Sequence, residues 1–196
     1  MEAAARVIHA VVLAAGRGER MGGPKALLVT PSGPLVSMHV ARFREAGVRR
    51  VVVVTRAACV APLLDLEDAA DVVVLGADTG APAESLAWAL DAATADWIFV
   101  TPVDALPAAA TTLRALSDGV TDRVDALTPR VGGRGGHPVL VRRAVLSGEP
   151  RPLRERLAAL GPRRRFVDVD DPRVRTNLDT PEDVIRETGA PPRFLG

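Results

Sequence analysis

Residues 11–25 read VVLAAGRGERMGGPK, an apolar strand that runs directly into a glycine-rich loop ending in lysine. The glycines of the loop allow tight turns in which successive backbone amides point inward, and such a concavity binds anionic oxygens. Three basic residues, Arg17, Arg20 and Lys25, add positive charge to the same loop. A plain strand-to-helix turn needs neither these cations nor the Pro24-Lys25 pair, so the stretch predicts a phosphate-binding site.

Two other kinds of glycine-rich loop need to be distinguished from this one. The P-loop of kinases and ATPases ends in lysine followed by serine or threonine, whose hydroxyl binds magnesium, whereas Ala26 follows Lys25 here. A dinucleotide-binding turn continues into a helix and is followed by an acidic residue about twenty positions later. Pro24 interrupts such a helix, and Arg56 after the second strand is at best consistent with a phosphorylated ribose. We therefore interpret the loop as a triphosphate site of a different kind.

Short apolar runs alternate with helix-length segments along the rest of the chain. The predicted strands cover residues 8–13, 51–55, 72–75, 97–101, 126–128, 139–141 and 166–169, and the predicted helices cover residues 35–46, 85–93, 108–116, 150–160 and 181–187. Continuous apolar strands separated by helices are typical of a mainly parallel sheet that is buried on both faces. We predict an α/β fold, a three-layer α/β/α sandwich with a Rossmann-like sheet, formed by residues 1–196 as one domain. The tail, residues 189–196, is expected to be loose or to contact a neighbouring subunit.

Ligands of such sheets bind beyond the carboxyl ends of the strands. Four loops, at residues 16–25, 55–56, 76–80 and 102–104, are therefore expected around one opening. The expected nucleotide-binding residues lie in or next to these loops: Leu13, Ala14, Ala15, Gly16, Arg17, Gly18, Lys25, Thr55, Asp78 and Ser85. The small Ala14 and Ala15 would let a flat base or ribose lie against the backbone, while Arg20 and Lys25 are expected to project from a solvent-facing loop.

Asp104 is the first candidate metal ligand. It follows the strand at residues 97–101, where its carboxylate could reach a magnesium ion that bridges triphosphate oxygens. One or two protein carboxylates suffice for Mg²⁺, because this ion usually keeps several of its waters. The structural alternative is that Asp104 caps a helix ahead of Pro107.

Asp179 is the second candidate metal ligand, and Asn177 and Asp170 could fill the same role. The following residues also have a purely structural interpretation. Thr180 as cap, Pro181 at the first helical position and acidic residues in the first turn are typical of a helix start without any metal. The sequence leaves both interpretations of this segment open.

Composition excludes several classes of protein. The 196 residues include 25 Lys plus Arg and 24 Asp plus Glu, and a net charge of +1 gives no overall attraction to nucleic acid or to an anionic membrane. Aromatic residues make up only 3%, which argues against a stacking platform for single-stranded nucleic acid. Cys59 is the only cysteine, so no intrachain disulfide can form and a cytoplasmic location is expected. The first apolar stretch is broken within residues 16–20, too soon for a membrane span or a secretory signal.

The sequence LAAGRGERMGGPK at residues 13–25 resembles the LAAGxxxRMGxPK signature of the molybdenum cofactor nucleotidyltransferases and, more broadly, of the sugar-nucleotide pyrophosphorylases. Two further segments match in the expected order, GGHPVL at residues 135–140 and NLDTPED at residues 177–183. The first of these is more similar to the cytidylyltransferase branch than to the guanylyltransferase branch. The resemblance covers nearly the whole chain and implies a fold of the nucleotide-diphospho-sugar transferase type.

The resemblance also implies a reaction. A nucleoside triphosphate, with CTP favoured, would give its nucleoside monophosphate to a phosphorylated acceptor, molybdopterin, and pyrophosphate would leave. Magnesium is the implied cofactor. A molybdoenzyme or its chaperone is the expected recipient of the product, and neither nucleic acid nor a membrane is an expected partner.

Roles for individual residues follow from the same resemblance. The loop of the family wraps the triphosphate, so Arg20 and Lys25 would neutralise its charge and Asp104 would complete the catalytic set. The segment around His137 would line the pocket of the acceptor, where Arg130 and Arg134 could hold its phosphate. The run at residues 163–165, three consecutive arginines, is interpreted as solvated.

One segment departs from the pattern of the family, which presents its metal-binding aspartate as Gly-Asp-x-Pro. This chain reads TPVDALP at residues 101–107, without the glycine and with the proline one step late. Three alternatives stay open as a result. They are guanylyl transfer or transfer to a sugar phosphate, a nicotinamide-dependent oxidoreductase, and a non-catalytic nucleotide-binding protein that has kept the loop.

Overall fold

The computed structural model describes residues 6–64, 72–76, 78 and 81–196. The strands are β1 (Ile8–Ala14), β2 (Leu28–Thr30), β3 (Gly33–Pro34), β4 (Arg50–Thr55), β5 (Val72–Gly76), β6 (Trp97–Pro102), β7 (Ala126–Val131), β8 (Arg134–Gly135), β9 (Val139–Arg142), β10 (Arg164–Asp168) and β11 (Arg193–Phe194). The helices are α1 (Leu35–Glu45), α2 (Val60–Leu64), α3 (Pro82–Ala89), α4 (Ala110–Asp118), α5 (Arg143–Leu146), α6 (Leu153–Ala159) and α7 (Pro181–Thr188). All the strands and helices predicted from the sequence are present, with boundaries shifted by a few residues.

The large sheet has the strand order β10-β7-β9-β6-β1-β4-β5, with β8 paired to β7. Strands β6, β1, β4 and β5 are parallel to one another, and β10 is parallel to β7. Strand β9 runs antiparallel to both of its neighbours. The connection from β7 to β9, residues 132–138, is too short for the crossover that a parallel pair requires. The mainly parallel sheet is confirmed, with β9 as the strand of opposite direction in its centre.

Helices cover both faces of this sheet, which confirms the three-layer prediction. Side chains of a strand alternate between the two faces. Val12 of β1 packs in one cluster with Phe43 of α1 and Leu113 of α4, whereas its neighbour Val11 packs in a second cluster with Leu86 of α3. Each large apolar side chain buried in this way stabilises the fold by about 1.5–3 kcal/mol relative to an exposed one. The two clusters hold the strands, and therefore the loops at their ends, in fixed positions.

The tail forms part of the structure, so the expectation of a loose tail was wrong, and a contact with a neighbouring subunit stays a prediction. Strand β11 pairs antiparallel with β2 in a small sheet of order β11-β2-β3. The amide of Leu195 also donates to the carbonyl of Leu27 at 2.9 Å. Sequence pattern could not predict this pairing, because a two-residue strand has no periodicity and its partner lies far along the chain.

The carboxyl ends of the central strands meet at one edge of the sheet. Leu13 at the end of β1 is in register with Pro102 of β6, and Ala14 with Thr55 of β4. The loops that follow β1, β4 and β6 therefore emerge side by side, as the sequence predicts. Among the described residues, no helix is long and apolar enough to cross a membrane.

Candidate active site

The glycine-rich loop after β1 is folded tightly on itself. Gly18 has a φ of +67°, and a Cβ at that position would lie 1.9 Å from the carbonyl oxygen of Gly23. A Cβ at Gly23 would in turn lie 2.9 Å from the ring of Phe194 in β11. Met21, between these glycines, is buried. Gly18 is thus required by close backbone packing and Gly23 by the Phe194 ring, so the tail strand packs directly against the loop.

The loop ends in an ammonium group held between two carboxylates. Lys25 Nζ donates to Asp104 Oδ2 at 2.7 Å and to Asp179 Oδ1 at 2.9 Å. The Lys25 side chain is only 13% exposed, which corrects the expectation that it projects into solvent. The physical reason is that Ala26 and Leu27 bury themselves in the core directly after it, so the lysine turns inward where both carboxylates attract it. Burial by itself would lower the pKa of Lys25, but the hydrogen bonds and charges of Asp104 and Asp179 outweigh burial and raise it.

Backbone contacts bring the two aspartates together. The amide of Val103 donates to the carbonyl of Leu13 at 2.9 Å, which fixes the segment after β6 against the end of β1. Ala105 forms an isolated antiparallel bridge with Asn177, and the amide of Leu178 donates to the Asp104 carbonyl at 2.7 Å. The segment that carries Asp179 is therefore paired directly with the segment that carries Asp104.

Asp179 also directly precedes helix α7, and the structure confirms the helix-start interpretation of the residues that follow it. Thr180 is the N-cap, accepting from the Asp183 amide, while the Asp183 side chain accepts from the Thr180 amide. Asp179 is left to face Lys25. The cap alternative for Asp104 is wrong, because α4 begins at Ala110 and the amide of Ala109 before it donates to Asp171 instead.

The two carboxylates fit a divalent cation that needs few protein ligands. One oxygen of each carboxylate contacts Lys25 Nζ, at 2.7 Å for Asp104 and 2.9 Å for Asp179, so the two carboxylates lie close together on either side of the lysine. Mg²⁺ is commonly bound by one or two carboxylates together with waters and substrate phosphates. Among the described residues, no group of three or more His, Cys, Asp and Glu side chains could hold a metal ion by itself. The donor set therefore suits a metal that is shared with a phosphate ligand.

The other two cations of the loop are exposed. Arg20 Nη2 lies 4.0 Å from Asp179 Oδ1, with 77% of the arginine side chain exposed. Arg17 Nη1 lies 3.9 Å from Glu19 and is similarly exposed. Arg20 is thus next to the carboxylate pair and free to move toward an anion, whereas Arg17 is turned toward its own loop.

A cleft of about 210 Å³ lies beside Lys25 and Asp104, at the carboxyl ends of β1 and β6. It is lined by Leu13, Ala15, Gly16, Lys25, Ala81, Pro82, Ser85, Pro102, Val103 and Asp104. Half of the expected nucleotide-binding residues belong to this lining: Leu13, Ala15, Gly16, Lys25 and Ser85. In the loop expected at residues 76–80, positions 77, 79 and 80 lie outside the described residues.

The remaining expected nucleotide-binding residues do not line the cleft. Thr55 is fully buried, and its hydroxyl donates to the carbonyl of Ala14 at 3.4 Å. Asp78 is exposed and lies 3.5 Å from Arg56. Ala14, Arg17 and Gly18 form the strand end and the loop itself without appearing in the lining. The side chain of Thr55 supports the backbone of β1 and is not presented to a ligand.

Two histidines lie near Asp104, and sequence reasoning missed the buried one, His39. His39 Nε2 lies 3.2 Å from the carbonyl oxygen of Val103. A carbonyl can only accept, so Nε2 carries the hydrogen. Complete burial lowers the pKa of His39 to about 4, against the opposing effect of its carbonyl partners. Its position on α1 among apolar residues is that of a core residue, which is why no motif indicated it.

His137 is the second of these histidines. It is half-buried, and desolvation lowers its pKa despite the nearby charge of Asp104. Within the described part of the chain, its Nδ1 is a buried atom without a hydrogen-bond partner. The role of His137 in binding the acceptor stays a prediction.

A second cavity has a volume of about 500 Å³. It is lined by Thr128, Gly135, Gly136, His137, Val139, Leu153, Arg154, Leu157, Arg164, Phe166, Arg175 and Asn177. Arg134 is exposed on β8 and does not belong to the lining. Arg130 is engaged by Asp168 through two hydrogen bonds of 2.7 Å. Of the residues expected to bind the acceptor, the structure therefore places His137 in the cavity lining but neither Arg130 nor Arg134.

Arg164 corrects the expectation that residues 163–165 form a solvated run. On β10, Arg164 and Phe166 share the face that lines the cavity. Alternation along a strand could have indicated this, had the strand been predicted to start at residue 164 and not at 166. Arg163 instead pairs with Asp125.

Comparisons with known proteins show the family and the fold of this chain. The family model described as a MobA-like NTP transferase domain matches residues 10–173. No curated protein matches the sequence. Among solved structures, Rv0371c from Mycobacterium tuberculosis H37Rv is 25% identical with a TM-score of 0.79, over 95% of this chain and 100% of that one. A structure of Rv0371c in complex with manganese is also similar, with a TM-score of 0.73 and 25% identity, over 94% of this chain and 99% of that one.

Two more distant structures have the same fold. A nucleotidyl transferase from Methanothermobacter thermautotroptrophicus (Mth528) is 24% identical with a TM-score of 0.76, over 93% of this chain and 96% of that one. The 2-C-methyl-D-erythritol 4-phosphate cytidylyltransferase from Thermus thermophilus is 19% identical with a TM-score of 0.70, over 93% and 98% of the two chains. The fold is therefore that of the nucleotide-diphospho-sugar transferase type.

Proposed function

The chain belongs to the MobA-like NTP transferase family, and from this premise we propose that it transfers the nucleoside monophosphate of CTP to the phosphate of molybdopterin. The observation that carries the proposal is the convergence of Lys25 with Asp104 and Asp179 at the carboxyl ends of the central strands. The lysine beside the cleft supplies positive charge for the phosphates of a metal-bound triphosphate, and the two carboxylates supply negative charge for its metal ion. Family membership supports nucleotidyl transfer in general, while CTP, molybdopterin and magnesium are the specific part of the proposal.

In the proposed reaction, an oxygen of the acceptor phosphate attacks the α-phosphorus of the nucleotide. A new P–O bond forms to the acceptor, the bond from the α-phosphorus to the bridging oxygen of the β-phosphate breaks, and pyrophosphate leaves. The acceptor is already an anion, so no side chain has to act as a covalent nucleophile. Catalysis consists of positioning the two phosphates and neutralising their charge.

The residues of the cleft divide this task. The loop amides and Lys25 would hold the triphosphate, and Arg20 could reach it because its side chain is exposed. Asp104 and Asp179 would hold magnesium, which when bound neutralises charge on the phosphate oxygens. His137 would contact the acceptor from the second cavity, and Arg134 is the more remote of the two residues expected there.

The preference for CTP rests on the resemblance of residues 135–140 to the cytidylyltransferase branch and on the small Ala15 and Gly16 in the cleft lining. A pocket built to hydrogen-bond one base rejects another strongly, because the wrong base leaves buried polar groups unpaired. A cytidylylated product would pass to a molybdoenzyme or its chaperone.

The test is pyrophosphate release in the presence of Mg²⁺ and molybdopterin, with CTP, GTP, ATP and UTP supplied one at a time. We expect CTP to be the best donor. Turnover with GTP that equals or exceeds turnover with CTP would contradict the cytidylyl assignment and keep nucleotidyl transfer. The absence of pyrophosphate release with all four donors would contradict the proposed reaction itself.

A further inference from the structure

The second cavity has an unusual charge. Three arginines from separate parts of the chain line it: Arg154 from α6, Arg164 from β10 and Arg175 from the 3₁₀ turn Pro172–Arg175. None of the lining residues carries a carboxylate. Three guanidinium groups around a cavity of about 500 Å³ repel one another and attract anions.

Three neighbouring arginines, by contrast, are paired with acids. Arg130 pairs with Asp168, Arg163 with Asp125 and Arg173 with Asp171. Within residues 6–64, 72–76, 78 and 81–196, the ion pairs include none that involves the three cavity arginines. Arginines are always charged and form paired hydrogen bonds with carboxylates and phosphates. Cavity arginines without an acidic partner are therefore suited to an anionic ligand.

Arg164 is held in position for such a ligand. Its Nε donates to Thr128 Oγ1 at 3.1 Å, and its guanidinium carbon lies 4.7 Å from the centre of the Phe166 ring. Partial burial lowers the pKa of Arg164, as expected for a cation that has lost water without gaining an acidic partner. A guanidinium fixed in this way loses little conformational entropy when it binds an anion.

The cavity lies next to the catalytic carboxylates. Asn177 lines the cavity and is paired through its backbone with Ala105, the residue after Asp104. His137 also lines the cavity, and it lies close enough to Asp104 for the charge of that carboxylate to affect the pKa of His137. A Cβ at Gly136 would lie 1.9 Å from the carbonyl oxygen of Val174, so glycine is needed for this close approach of the cavity wall. The wall of the cavity is therefore joined by a backbone contact to the segment that carries Asp104.

We propose that the acceptor binds in this arginine-lined cavity and carries at least two anionic groups. This inference rests on the proposed function. The reacting phosphate lies at the end formed by His137, Asn177 and Arg175, next to the Asp104 segment, and a second anionic group lies between Arg154 and Arg164. Arg134, which is exposed and outside the cavity, is then not required for acceptor binding.

The test uses inorganic phosphate as the probe, followed by the amide NMR signals of residues 135–137 and 164–166. The titration is run with the full chain, with and without a saturating non-hydrolysable CTP analogue and Mg²⁺, so that phosphate binding in the nucleotide cleft is blocked in one arm. Arg164→Gln and Arg154→Gln are the test variants. Arg165→Gln is the matched control, because it removes the same charge from the opposite face of β10.

We expect phosphate to shift these signals in both arms, at least tenfold weaker binding in each test variant, and unchanged binding in the control. With molybdopterin as acceptor, the test variants should raise its KM while leaving the affinity for the CTP analogue unchanged. Binding that disappears when the analogue is present, or equal losses in Arg164→Gln and Arg165→Gln, would overturn the proposal. Phosphate binding in the cavity combined with no transfer from any triphosphate would contradict the proposed function and leave the anion site standing.

Discussion

His39 is expected to make the protein sensitive to mild acid. Its ring is completely buried behind Asp104, and burial lowers its pKa from 6.5 to about 4. In the unfolded chain the imidazole takes up a proton near pH 6.5, whereas in the folded protein it stays neutral until about pH 4. The unfolded state therefore binds more protons between these two values. The contribution of His39 to stability is complete above pH 6.5 and is lost as pH falls to about 4.

The size of this loss follows from the shift in pKa. One pKa unit corresponds to about 1.4 kcal/mol, so a shift from 6.5 to about 4 costs about 3 kcal/mol of the free energy of unfolding between pH 7 and pH 4. A domain has only about 5–15 kcal/mol in total. This single side chain would then remove a large part of the stability in mild acid.

Urea denaturation at pH 7 and at pH 4, for the natural chain and for His39→Gln, measures this effect. Glutamine keeps an N–H that can donate to the Val103 carbonyl but does not titrate. Other groups with lowered pKa values, such as Asp125 and Asp183, also contribute less to stability in acid. Their effect is the same in both proteins and therefore cancels when the two are compared. We expect the variant to lose about 3 kcal/mol less than the natural chain between the two pH values. Equal losses in both proteins would refute the reasoning, because His39 would then not titrate between them.

Three further predictions concern the site and its support. Lys25→Met should slow transfer by about a hundredfold or more, the usual cost of losing one preorganised charge contact, and Arg20→Met should have a smaller effect because its side chain is exposed; full activity in both variants would refute the role of the loop. Asp104→Asn should keep the affinity for the triphosphate within a modest factor but abolish the dependence of the initial rate on Mg²⁺, and an unaltered magnesium curve would transfer the metal site to Asp179. Thr180→Ala should cost about 1 kcal/mol in thermal unfolding through loss of the helix cap, and an unchanged midpoint would mean that the cap contributes nothing.

Local patterns were sufficient to predict the centre of the site. The strand and loop at residues 11–25 and the aspartate after β6 lie at the ends of adjacent parallel strands, and such ends meet at one edge of the sheet. The proximity of Lys25 to Asp104 follows from this geometry, whereas Asp179 follows no strand and is brought close by the bridge between Asn177 and Ala105. The sequence could not show that Lys25 is buried between the two carboxylates, because that depends on contacts between segments 79 and 154 residues apart.

Other features depended on the register and packing of distant segments. The face on which Arg164 lies is set by where β10 begins, and an error of one residue reverses every side chain of a strand. The pairing of β11 with β2 has no local signal, because two residues are too few for a pattern. His39 is indistinguishable by sequence from any residue on the buried face of a helix, so only its contact with the Val103 carbonyl reveals its place behind Asp104.

The fate of the α-phosphate tests the account most directly. CTP labelled with ³²P at the α-position is incubated with the protein, Mg²⁺ and molybdopterin, and the labelled products are separated. We predict that the label appears in the acceptor product in equal amount with released pyrophosphate, and that Asp104→Asn abolishes both. Label that remains in CTP, or that appears as free CMP without transfer to the acceptor, would contradict nucleotidyl transfer at the site formed by Lys25, Asp104 and Asp179.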